Sequence, residues 1–201
     1  MMSVNIFKKS FLKEYLSRNK NLILLSLIIF ILSIIIGAVF SSYFKVMATQ
    51  LMKRLLESIP MKSVSENAVN LFKSNLTASM IIILGGLIFS ITSVLAIMVN
   101  GILIGYVSTL INPVVYLVGV IPHGIFELTA LILSLTGAFI LTKIEIRIIQ
   151  AIFSHSLHSE LENTKILLKD LVFTVLVSFV LLAIAAIIEA AITPIFLSMV
   201  V

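Results

Sequence analysis

An all-α fold, a polytopic membrane helix bundle of about five transmembrane helices with amphipathic interfacial helices, is predicted by three features of the sequence. Apolar residues make up 60% of the 201 and charged residues only 11%, against about 45–50% and about 25% in an average soluble domain. The mean hydropathy is +1.22. The apolar residues also fall in runs long enough for a helix to cross a hydrocarbon core of about 30 Å, which takes about 20 residues. A water-soluble fold of this length has too little interior for so much apolar surface, so lipid must be its main solvent. Residues 1–201 read as a single integral membrane domain.

The first span is expected at about 22–40, behind Lys8, Lys9, Lys13, Arg18 and Lys20. A secretory leader has a core of about 7–15 residues followed by a small-x-small cleavage site. This run is longer and ends in Ser41-Ser42-Tyr43-Phe44, so it is read as a retained span. An amphipathic outer loop, 43–73, follows. Phe44, Met47, Leu51, Leu55 and Ile59 recur at helical spacing, with Lys45, Gln50, Lys53, Arg54 and Glu57 on the other side and Pro60 as the stop. Such a helix can lie in the headgroup plane. The apolar stretch from Leu76 to Leu141 is too long for one helix. Its natural breaks are Asn100-Gly101 and the region from Asn112-Pro113 to Pro122-His123-Gly124, which gives spans at about 76–98, 101–120 and 123–142.

An amphipathic inner segment, 143–170, begins with the alternation Ile144-Glu145-Ile146-Arg147-Ile148. Period two suggests a strand, but a lone strand at the membrane leaves its backbone groups unpaired. A helix continuing out of the fourth span and ending near residues 154–159 is preferred. The last span is expected at about 171–192.

Orientation follows from the basic residues. With the N-terminus in the cytoplasm, Lys8, Lys9, Lys13, Arg18, Lys20, Lys143, Arg147, Lys165 and Lys169 are inside, and Lys45, Lys53, Arg54, Lys62 and Lys73 are outside. That asymmetry obeys the positive-inside rule. The expected location is the cell membrane, multi-pass, with the C-terminus outside. An impermeant thiol reagent on sealed cells should therefore label Ser63→Cys and spare Ser3→Cys; the reverse pattern would invert the topology.

The net charge of +5 lies beside apolar runs, which favours membrane lipids over nucleic acid as its partner. The absence of cysteine excludes disulfides, thiolate metal sites and thiol catalysis. No phosphate-binding loop, nucleophile elbow, dinucleotide fingerprint or zinc-protease helix occurs. No cofactor, metal site, catalytic residue or enzyme activity is expected. His155, His158, Glu160 and Glu162 are a weak ligand set, because no third ligand is specified.

A charged group at mid-bilayer costs at least about 2.5–3.5 kcal/mol on insertion scales, so those inside the spans need an account. Glu127 and Glu189 are two. His123 lies one helical turn before Glu127, close enough to pair with it, and Pro122 suits a helix start. Gly124 would let another backbone come near. These residues, with Asn100 as the expected partner of Glu127, form a candidate intramembrane polar or ligand site; polar glue between helices is the other reading. Gly85, Gly86, Gly101 and Gly105 are candidate helix-packing positions, within the chain or between copies. They motivate the expectation of a homo-oligomer, with a dimer favoured.

Asn100-Gly101 with Gly105, Pro122-His123-Gly124-Ile125-Phe126-Glu127-Leu128, and Ala185-Ala186-Ile187-Ile188-Glu189-Ala190 through Pro194 together resemble the stage II sporulation protein M family. The similarity covers nearly the whole chain, and the P-H-G-I-x-E-L string is its most specific part. In endospore-forming bacteria the resemblance implies a membrane subunit associated with stage II sporulation proteins D and P, which cut peptidoglycan. The family extends to archaea that lack ordinary peptidoglycan. The function expected is a non-enzymatic membrane subunit that anchors or assembles partners, including membrane or cell-envelope proteins. The alternative is a transporter, channel or lipid-translocating protein built around His123 and Glu127.

Overall fold

A computed structural model describes residues 8–58, 63–153 and 157–200. The elements are α1 (Lys9–Val39), α2 (Ser41–Ser58), α3 (Val64–Leu84, prolonged by a 3-10 turn, Gly85–Ile88), α4 (Ile91–Ser108), α5 (Pro113–Phe153), α6 (Leu157–Ala191) and α7 (Thr193–Leu197). Five helical stretches are long and apolar enough to cross a membrane: α1, α3 with its extension, α4, α5, and Thr164–Ala191 of α6. The all-α, five-span expectation is met, and no strand occurs among the described residues. Residues 144–148 are helical, so the alternation there is no strand.

The packing runs opposite to that of a soluble bundle. α1 turns Phe11, Tyr15, Asn19, Ser26, Phe30, Ser33 and Gly37 inward, while Leu24, Leu25, Ile28, Ile31, Leu32 and Ile35 face out. Lipid is as apolar as leucine, so burial in a membrane rewards small and hydrogen-bonding side chains that let helices approach. The central core is Phe30, Ile82, Ile97, Leu131, Leu135 and Ala138. A second cluster, Phe11, Tyr15, Ile140 and Ile144, ties the start of α1 to α5. Midway, hydroxyls satisfy one another: Ser79 and Ser134 lie 2.6 Å apart, and Thr136 donates to Ser26 at 3.1 Å.

Two predicted breaks are displaced. The chain turns not at Asn100-Gly101 but at Phe89-Ser90, both in the left-handed region (φ 50° and 58°). Ser90 is anchored there to Thr142 at 2.7 Å, and Thr142 donates to the Gly86 carbonyl at 2.8 Å. Asn100-Gly101 lies inside α4 because the Asn100 amide donates to Ala96 O at 2.9 Å, which satisfies the side chain without a turn. The span then covers 18 residues, or about 27 Å of helix, near the minimum for crossing. Likewise Pro122 does not start a helix; it lies within α5. The start is Asn112-Pro113, where Asn112 Oδ1 accepts from the Val114 N–H at 2.9 Å, an asparagine cap ahead of a first-turn proline. At Pro122 the missing N–H removes one helical bond, and the helix continues through it.

The amphipathic expectations for 43–73 hold in part. Phe44, Met47 and Leu51 are half-buried on α2, with Ala48 fully buried between them, while Tyr43 and Val46 face out. Ser63 and Glu66 form a reciprocal capping box that starts α3. Residues 59–62, including Pro60, lie outside the described residues, as does the reading of His155, His158, Glu160 and Glu162 as ligands.

The helix-packing glycines are consumed within the chain. A Cβ on Gly101 would stand 2.6 Å from Ser33 Cβ, and one on Gly105 would run into the Ile34 carbonyl and stand 2.8 Å from Ala38 N. From the α1 side, a Cβ on Gly37 would run into Ile102. The G-x-x-x-G face thus seats α4 on α1. Gly86 meets Ala138 and Leu141 of α5, and Gly85 meets the start of α4 at Thr92 and Ser93. Gly124 departs from expectation: among the described residues, the nearest atoms a Cβ there would meet are side-chain atoms of Val120 and Leu128 of its own helix. An oligomer, therefore, needs a surface other than these faces.

Candidate functional site

α5 and α6 pack side by side and bring His123, Glu127 and Glu189 together, with one ligand-type atom of each lying within 4.8 Å of the others. His123 and Glu127 share a face of α5 one turn apart, and Glu189 comes from the last turns of α6. The His123 Nε2 to Glu127 Oε2 distance is 3.9 Å, longer than the about 2.7–3.2 Å of a hydrogen bond. The other ring nitrogen, Nδ1, is 3.3 Å from Thr193 Oγ1. Thr193 is buried where α6 passes into α7, and its hydroxyl donates to the Ile188 carbonyl at 3.4 Å. In the tautomer that carries its proton on Nδ1, the threonine oxygen accepts it and the Nε2 lone pair faces the carboxylates.

The cluster is largely covered but not sealed: the His123 side chain is 14% exposed and that of Glu127 24%. Among the described residues neither Glu127 nor Glu189 accepts a hydrogen bond. Protein encloses most of the Glu127 surface. The group that faces Glu127 from another span is Glu189, not Asn100, whose amide is committed to its own helix. Beside the cluster, Leu117, Val118, Ile121, Pro122, Phe196, Met199 and Val200 line an apolar groove of about 330 Å³ between α5 and α7.

A second polar cluster, near the start of α1, was missed by the sequence reading. Asp170 is fully buried and accepts from Arg18 Nη2 at 2.6 Å, Arg18 Nε at 3.0 Å and Asn19 Nδ2 at 2.8 Å. Arg18 also pairs with Glu14 at 3.2 Å and stacks over the Phe11 ring at 5.4 Å. One turn along, Tyr15 and Thr174 hydroxyls lie 2.8 Å apart. The signal available is Arg18-Asn19 directly before one apolar run and Asp170 directly before another; of these, Arg18 alone enters the count of inside basic residues.

The model of the stage II sporulation protein M family matches residues 26–194. The chain belongs to that family. An uncharacterized protein of the archaeon Methanocaldococcus jannaschii is 29% identical over 147 residues, which cover 71% of this chain and 78% of that protein. No solved structure matches. The matched region contains the three members of the α5–α6 cluster and its threonine. It leaves Arg18 outside and takes in Asp170, so the second cluster straddles the family boundary.

Proposed function

We propose that this stage II sporulation protein M family member is a non-enzymatic membrane subunit that anchors or assembles other proteins. Membrane or cell-envelope proteins, lipids and a second copy of the chain are its partner classes. The observation that carries this reading is the position of the polar cluster. It lies toward one end of the bundle, and along α5 beyond it Ala130, Leu131, Leu135 and Ala138 are buried in the central apolar core. The hydroxyls at that level are paired with one another or with helix carbonyls. A bundle packed in this way presents a polar end feature to a partner and closes its own middle.

Capture of the tagged full-length chain from native membranes after in-cell cross-linking tests the proposal. Recovery of a defined membrane or envelope protein in constant ratio to the chain is expected. Glu127→Leu is expected to reduce that ratio severalfold without reducing the amount of folded chain. Recovery of the wild-type chain alone would contradict the proposal.

A second reading, transport or lipid translocation, draws support from the convergence of His123, Glu127 and Glu189, an arrangement too costly in lipid for mere packing. In that case Glu127→Gln, which keeps shape but cannot ionise, should fold normally and abolish flux in proteoliposomes.

A further inference from the structure

We propose that His123, Glu127 and Glu189 form a binding site for one first-row divalent transition-metal ion, with Thr193 as the residue that orients the imidazole. The inference rests on the cluster being a ligand site and not on the assembly role proposed above. Three observations carry it. First, one ligand-type atom from each of three side chains converges within 4.8 Å from two adjacent helices, with His123 Nε2 standing 3.9 Å from Glu127 Oε2. Converging lone pairs repel unless a proton or a cation stands between them, and three of them offer a cation a ready-made ligand set.

Second, the spacing suits an ion better than a direct contact. Ligands at about 2.0–2.2 Å from a tetrahedral centre lie roughly 3.4 Å apart. The 3.9 Å between Nε2 and Oε2 is too long for a hydrogen bond and needs only small side-chain rotations to close on a shared ion. Third, the Thr193 contact at 3.3 Å holds the ring by Nδ1 and leaves Nε2 on the side of the carboxylates, 3.9 Å from Glu127 Oε2. That is the outer arrangement typical of a metal-ligating histidine.

One imidazole and two carboxylates suit Zn²⁺ or Mn²⁺; Mg²⁺ and Ca²⁺ prefer all-oxygen ligand sets. Three protein ligands leave a position open on the exposed side of the cluster, where water or a partner's side chain would complete the shell.

The test uses the chelator-stripped full-length chain in detergent, with His155 and His158 both replaced by alanine so that His123 is the sole imidazole. Zn²⁺ is titrated calorimetrically, with Mg²⁺ as the comparison ion. One Zn²⁺ per chain is expected, with little response to Mg²⁺. His123→Ala, Glu127→Gln and Glu189→Gln should each weaken binding by at least tenfold, and Thr193→Val by about tenfold. Asn100→Ala should bind as the parent does, and a single symmetric chromatographic peak for every variant secures their folding. No saturable Zn²⁺ binding, or binding that the three ligand substitutions leave intact, overturns the proposal. Because the purified chain alone is measured, a negative result here leaves the partner-capture result standing, and the reverse.

Discussion

Replacing Arg18 with methionine is expected to destabilise the solubilised protein by about 3–5 kcal/mol, the cost of leaving a buried charge without its partner. Asp170 is fully buried, and two of its three hydrogen bonds come from the Arg18 guanidinium. Methionine keeps much of the apolar stem and removes the charge, which leaves the carboxylate one neutral donor, Asn19. The effect should be asymmetric. Arg18 is 29% exposed and keeps Glu14 within reach at 3.2 Å, so Asp170→Asn is expected to cost clearly less. The double variant Arg18→Met/Asp170→Leu should recover part of the loss, because no orphaned ion remains. Unfolding midpoints of these proteins and of Asp170→Leu in one detergent complete the cycle and give the coupling directly. Equal losses in the two single variants would show that the pair is not the asymmetric latch between α1 and α6 described above.

Gly105→Ala is expected to destabilise by about 1–3 kcal/mol, and Gly105→Leu by more, because overpacking forces backbone apart. The obstacle is main chain: a Cβ at this position meets the Ile34 carbonyl and Ala38 N of α1, neither of which can rotate away. Gly119→Ala is the matched control, since a Cβ there meets only Leu197 Cδ2 at 3.5 Å, an ordinary contact. Thermal unfolding followed by size-exclusion chromatography reads both. A Gly105→Ala protein as stable as Gly119→Ala would mean that α1 and α4 are not seated as described.

The number of spans and the helical class are legible in the sequence because hydrocarbon thickness fixes the length of an apolar run. Where the runs break is less so. Asn100-Gly101 has the composition of a turn, but the Asn100 amide finds a carbonyl in its own helix and Gly101 is needed for contact with Ser33. The true turn, Phe89-Ser90, carries no glycine, proline or asparagine, and its serine is one of many along these spans. It is held by Thr142 from another helix, a tertiary contact that no local pattern announces. Pro122 carries the composition of a helix start but falls inside α5, while the similar signal at Asn112-Pro113 is the real one. The inward faces are hidden from hydropathy because lipid and protein interior are equally apolar. The spacing of Ser26, Ser33 and Gly37 was their trace.

In the site, His123 and Glu127 were readable as a pair because one helix carries both. Glu189 joins them only through the packing of α6 on α5, and Asn100, the nearest candidate by chemistry, lies elsewhere. Asp170 precedes the last apolar run, and nothing local marks it as buried. Only the approach of α1 shows it to be buried.

The central claim is that His123, Glu127 and Glu189 are placed for binding and not for folding. The unfolding midpoint of the Glu127→Leu/Glu189→Leu variant, measured in chelator-treated detergent beside wild type and Arg18→Met, tests it most directly. Two converging carboxylates that accept no hydrogen bond among the described residues are a cost to the fold, and sites kept for function commonly trade stability in this way. The midpoint is therefore expected to equal or exceed that of wild type. A midpoint lowered to the level of Arg18→Met would contradict the claim and make the cluster polar glue.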